Sequence, residues 1–124
     1  MGIFSNTFGT AHNSRPIPYV VDIWTLDDGS ALLIQFNGLM RDPVDLELSL
    51  DVYVNTILAT TDGFELYEPA SVLIAYLVTP VQYEDAITVD LELVKNIWGQ
   101  EMVHMVDYPV RNTVSATTTT TTTI

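Results

Sequence analysis

Cysteine is absent from the 124-residue chain. Disulfides and thiolate metal sites are therefore excluded, and redox chemistry says nothing about compartment. Basic residues are almost as scarce: Arg15, Arg41, Lys95 and Arg111 stand against sixteen carboxylates, a formal net charge of -12. Such a surface repels phosphate backbones and anionic lipid, so direct partners among nucleic acids and membranes are not expected. It favours solubility, cations or a basic partner, and fits an ordinary acidic protein or one adapted to high salt equally well.

Long apolar runs are also missing. The longest, Val72 to Val78, is far too short to cross a bilayer. Residues 1 to 15 lack the basic start and apolar core of a signal peptide, and Asn6 occupies the position where myristoylation needs Ser or Thr. The expectation is a protein made in the cytoplasm, without a signal peptide or transmembrane segment.

Catalytic constellations are wanting too. The six glycines are scattered and form no phosphate-binding loop. No G-x-S-x-G elbow marks Ser5, Ser14, Ser30, Ser49, Ser71 or Ser115 as a nucleophile. His12 and His104, the two histidines, are not at metal-ligand spacing, and neither has a recognisable Ser and carboxylate beside it. The chain is not expected to be an enzyme, and no cofactor is expected.

What is present is alternation. In Val44 to Val54, VDLELSLDVYV, six aliphatic side chains alternate with Asp45, Glu47, Ser49, Asp51 and Tyr53. This is the period of a β-strand with one face in a core and the other in water. Ile87, Val89, Leu91 and Leu93 alternate in the same way with Thr88, Asp90 and Glu92. If these two strands are neighbours, their outer faces form a ladder of carboxylates. One of those carboxylates would need burial to serve as acid or base, and these positions look solvated.

Turn signals punctuate the remainder. Tyr19 to Leu26 and Ser30 to Phe36 flank Asp27-Asp28-Gly29 and predict a hairpin. Asn37-Gly38, Asp42-Pro43, Asp62-Gly63, Thr79-Pro80 and Trp98-Gly99 mark further turns. Phe64 to Tyr67 predicts a short strand, and Asn55 to Thr61 a strand continuation or crossover. Ser71 to Val78 is apolar on both parities, so periodicity does not separate a strand buried on both faces from a helix with Pro69 at its first position; its length and β-branched content favour the strand. Pro109 confines the last segment, Met102 to Val110, to an edge. The fold class is all-β: an antiparallel β-sandwich, jelly-roll or immunoglobulin-like, or a small barrel, of roughly seven or eight strands.

The body is expected over residues 15 to 111, between an N-terminal arm, 1 to 14, and a Thr-rich C-terminal arm, 112 to 124. Phe4 and Phe8 are the aromatic anchors of the first arm. In the second, Thr117, Thr120, Thr123 and Ile124 belong to a β-prone but polar run that cannot build its own core. It is expected as a disordered tail, or alternatively as a strand added to a neighbour, with a glycosylated stalk the third reading. Trp24 and Trp98 are expected in the core; if exposed beside Tyr19, Tyr53 or Tyr83 they would suit sugar stacking. Asp27, Asp28, Glu84 and Asp85 are the candidate metal ligands, placed to hold calcium or another cation across one end of the sandwich, although no regular calcium loop accompanies them.

Arm, sandwich and arm together describe an assembly subunit. The expected function is a non-enzymatic structural component of a multi-copy particle, a virion above all: a head decoration, head-to-tail connector or tail protein. Its partners would be copies of itself and other particle subunits. The alternative is a carbohydrate- or calcium-binding sandwich module, and a third reading is an acidic inhibitor that occludes a basic groove.

Overall fold

In the computed structural model, residues 17–41, 49–67 and 71–116 are described. Eight strands follow in chain order: β1 (Val20–Thr25), β2 (Ala31–Phe36), β3 (Ser49–Val54), β4 (Ile57–Ala59), β5 (Thr61–Tyr67), β6 (Val72–Leu77), β7 (Ile87–Glu92) and β8 (Met105–Pro109). They form two four-stranded sheets, ordered β1-β2-β6-β5 and β4-β3-β7-β8. All strand pairs within them are antiparallel. The expected all-β sandwich is the fold that forms. Among the described residues no helix is long and apolar enough to cross a membrane.

Period-two alternation builds the core between the sheets. Ile23, Leu32, Ile34, Phe36, Leu73, Ala75 and Leu77 point inward from one sheet, and Leu50, Val52, Ile87, Val89 and Leu91 from the other. Met40, Val81, Val94 and Met102, from connections between strands, join the same cluster. The larger surprise concerns the tryptophans. Trp24 and Trp98 are expected in the core, yet Trp24 is half-buried on the outer face of β1 and Trp98 is exposed. The interior is filled by narrower aliphatic side chains from both sheets, with Phe36 its largest fully buried member.

Two hairpins show how local chemistry sets the register. At Asp27-Asp28-Gly29, Gly29 has φ +76, and a side chain there would place its Cβ 2.1 Å from the Val81 carbonyl oxygen. Only glycine allows both that conformation and the approach, through which the Val81 N–H donates to the Gly29 carbonyl at 2.8 Å. Asn55 and Thr56, at φ 51 and 70, make the tight β3–β4 hairpin. Strand β4 then continues through Thr60 into β5 of the opposite sheet.

That crossing corrects one sequence expectation. Asp62-Gly63 is not a turn but lies within β5, where the pairing with β6 slips between Thr61 and Phe64 and Gly63 takes φ +102. A bulge lets a strand bend as it changes sheets, so the same residue types that end strands here keep one going. Strand β6 is corrected as well. It is buried on one face rather than two, with Leu73, Ala75 and Leu77 inward and Val72, Ile74 and Tyr76 outward.

Candidate functional site

Of the four candidate metal ligands, Asp28 and Asp85 have structural occupations. Asp28 accepts from the Ser30 N–H at 2.9 Å and the Ser30 hydroxyl at 2.7 Å. These two bonds hold its pKa below the usual carboxylate value. Asp85 accepts from the Asn55 side-chain amide and the Gln82 N–H, each at 2.8 Å. Its own N–H donates to the Gln82 carbonyl. Glu84 is part of that turn at φ 69, and Asp27 lies in the β1–β2 hairpin. Among the described residues, no three His, Cys, Asp or Glu side chains gather so as to hold a metal ion.

Sequence reasoning ended the body at Arg111, but the chain beyond it is bonded to the sandwich. The Arg111 N–H donates to the Ile23 carbonyl and the Thr25 N–H to the Arg111 carbonyl, so the segment runs parallel to the edge of β1. Thr25, buried and polar, receives the Thr113 N–H at 2.8 Å, while the Thr113 hydroxyl donates to the Thr25 carbonyl at 2.7 Å. The Asn112 amide donates to the carbonyls of Gln82 and Asp85. The chain therefore passes from β8 in one sheet to an edge position on the other. Nothing in Asn112-Thr113 announces this, because Thr25 alternates like any strand residue.

This attachment shapes one outer surface. The Arg111 guanidinium reaches Asp22 at 2.6 Å and lies 5.7 Å from the centre of the Trp24 ring. Across the strands, Trp24, Leu33 and Ile74 form one outward row, with Glu65 at its end. Glu65 accepts from the Tyr76 hydroxyl at 2.7 Å, which raises the pKa of Tyr76. Both acidic groups in these rows are thus engaged, beside an apolar and aromatic surface that includes Val72 and Tyr67.

The other outer surface is the expected carboxylate ladder. Asp51 sits directly opposite Asp90, and Ser49 opposite Glu92. Asp107 joins them through its N–H, which donates to Asp90 at 2.8 Å. His104 lies 3.6 Å from Glu92. The strength of this field registers on Tyr53, whose pKa is pushed up first by desolvation and then by Asp51, Asp90 and Asp107. Asp45 and Glu47, expected on the same ladder, lie outside the described residues.

A third surface opens along one side, where the lead-in to β1 faces the approach to β8. Ile17, Tyr19, Met102, Val103, Met105 and Tyr108 line an apolar groove of about 410 Å³. The expected arm residues Phe4, Phe8, Thr117, Thr120, Thr123 and Ile124 lie outside the described residues. Of the two sugar-stacking candidates, Trp24 has the Arg111 guanidinium over its ring. Trp98 stands over a smaller pocket with Leu39 and Met40.

No protein-family profile matches the chain, and no curated protein matches it. Solved structures do. The fold is similar to the surface layer protein SbsC, domains 1-6, with TM-score 0.67 and 12% identity over 86% of this chain and 15% of that one. The S-layer protein rSbsC(31-844) gives TM-score 0.67 and 13% identity, over 89% of this chain and 15% of that one. The N-terminal part of the bacterial S-layer protein SbsC gives TM-score 0.65 and 12% identity, over 86% of this chain and 26% of that one. This chain therefore spans about a quarter or less of the chains it resembles, and at this identity the likeness is one of fold.

Proposed function

We propose that the protein is a non-catalytic structural domain of a multi-copy protein assembly, with copies of itself among its partners. The observation that carries this reading is the one-sidedness of the sandwich. Across its central strands one outer surface opposes Asp51 to Asp90, which repels an identical copy. The central rows of the other carry half-buried Trp24, Leu33, Val72 and Ile74 beside exposed Tyr67 and Tyr76, with Asp22 paired to Arg111 and Glu65 bonded to Tyr76. Contact between copies is directed to the second surface and to the apolar side groove, which is how a unit joins a layer without aggregating from every side.

The fold likeness to surface-layer proteins supports an assembly role. It favours a layer outside a cell over the virion component expected from sequence; a head decoration, connector or tail protein is the narrower alternative. Light scattering of the full chain in low and in molar salt, with electron microscopy of the same samples, tests the reading. Association that strengthens as salt screens the carboxylates, with regular sheets or particles in the images, is the expected result. A monomer in both conditions would overturn it.

A further inference from the structure

We infer that the apolar side groove receives the N-terminal segment, residues 1–16, of a neighbouring copy, with Phe4 or Phe8 seated against Val103; this deepens the assembly reading and rests on it. The groove is built for an apolar occupant. Its walls are Ile17 and Tyr19 on one side and Met102, Val103 and Met105 on the other, with Tyr108 between them, its hydroxyl 3.5 Å from the Val21 carbonyl. Val103 is 73% exposed and Tyr19 57%, which is more apolar surface than one strand edge needs to leave in water.

The occupant follows from the chain's own charge pattern. No Asp or Glu precedes Asp22, and Arg15 adds a positive charge. Residues 108–124 are equally free of carboxylate side chains, but their tail beyond Val114 is almost all threonine, whereas residues 1–16 carry Phe4 and Phe8. Two bodies carrying the remaining charge repel each other, whereas this segment approaches an acidic neighbour without that penalty. Phe4 and Phe8, four residues apart, fall on the same face of an extended chain, as insertion into a groove requires.

Reach allows a neighbouring copy. The lead-in is pinned: the Tyr19 N–H donates to the Asn37 side-chain oxygen at 3.0 Å, and the Asn37 amide to the Ile17 carbonyl at 3.3 Å. Pro18 restricts Ile17 to extended backbone, and Pro16 imposes the same preference on the residue before it. Ile17 lies at the rim of the groove, and sixteen residues, if extended, would cover roughly 50 Å, enough to reach a neighbouring copy.

The absence of cysteine supplies the test. Full-length chains carrying Phe4→Cys or Phe8→Cys are mixed with full-length chains carrying Val103→Cys and oxidised. Val106→Cys, exposed on β8 but away from the groove, is the comparison. The expected result is a disulfide-linked dimer of the two differently labelled chains at Val103 and at least about tenfold less at Val106. Val103→Asp, at an exposed position that leaves the core intact, should weaken self-association about tenfold, equivalent to about 1.4 kcal/mol.

Three outcomes overturn the inference. One is equal cross-linking at both positions. Another is a link that forms only within a chain carrying both cysteines, which makes the groove the seat of its own segment. The third is no link from either phenylalanine position. If the chain still associates in any of these cases, the assembly reading survives and the groove assignment alone is lost. If it never associates, both fail.

Discussion

The two outer surfaces of this sandwich are made by strands of equal number over a shared core, yet they differ in kind. On the β4-β3-β7-β8 sheet, Asp51 faces Asp90 across a strand pair and Asp107 closes in behind. Like charges in that position destabilise a sheet. On the β1-β2-β6-β5 sheet, Asp22 is paired with Arg111 and Glu65 is held by Tyr76. Stability is settled by the inward residues of both sheets, so the outward residues are free to serve something else. The acidic surface discourages contact, and the less charged one permits it.

The largest effect should show that the difference stops at the surface. Leu32→Ala in β2 and Leu91→Ala in β7 each empty a fully buried position, one behind each surface. Each should lower the unfolding free energy by about 2–5 kcal/mol in chemical denaturation. If one were nearly silent, the sheets would not share a single core, and the comparison of their outer faces would lose its basis.

The next effect turns one surface towards the other. Thr113→Val removes the hydroxyl and its bond to the Thr25 carbonyl, and crowds the contact through which Thr113 satisfies the buried Thr25 hydroxyl. A loss of about 1–3 kcal/mol is expected. The segment that places Arg111 should loosen with it, freeing Asp22 and uncovering Trp24. Amide hydrogen exchange checks this: protection should fall at Thr25 and Arg111, which bond to each other's segment, and hold at Val89 in the centre of β7. A uniform loss would show that the segment is not an anchor.

Much of this division was legible in the sequence, for identifiable reasons. The acidic ladder follows from period-two alternation in VDLELSLDVYV and ITVDLELV, because alternation assigns faces without knowledge of the fold. Which strands would be neighbours came only from the structure. The apolar part of the other surface was hidden because Val72, Ile74 and Tyr76 belong to a run apolar on both parities. Such a run signals burial on two faces, and here one of those faces meets water. The tryptophans misled because size was taken for burial. The attachment of residues 111–114 was invisible because it rests on one buried threonine hydroxyl and on backbone bonds that carry no side-chain signature. Asp62-Gly63 has the composition of a turn, and only the pairing on either side of it reveals a bulge.

The smallest effect separates the two surfaces with a single type of probe. Tyr53 on the acidic surface and Tyr76 on the opposite one both have pKa values above the ordinary 10.0. Their causes differ: desolvation followed by three carboxylates for Tyr53, and foremost the hydrogen bond to Glu65 for Tyr76. A raised folded pKa favours the neutral phenol, so its stabilising contribution is complete below pH 10 and is lost as pH rises through the folded value. Tyrosinate absorbance followed through that window should show Asp51→Asn with Asp90→Asn lowering the Tyr53 value without abolishing its shift, since the desolvation remains. Molar salt should act in the same direction, because it screens charge and leaves burial unchanged. Tyr76 should ignore the double substitution, move less in salt than Tyr53 because its shift comes first from a direct hydrogen bond, and respond to Glu65→Gln, which leaves an acceptor that no longer charges the site. If Tyr53 and Tyr76 moved together in salt, the field would be a property of the whole acidic molecule rather than of one surface, and the one-sidedness on which the assembly reading depends would disappear.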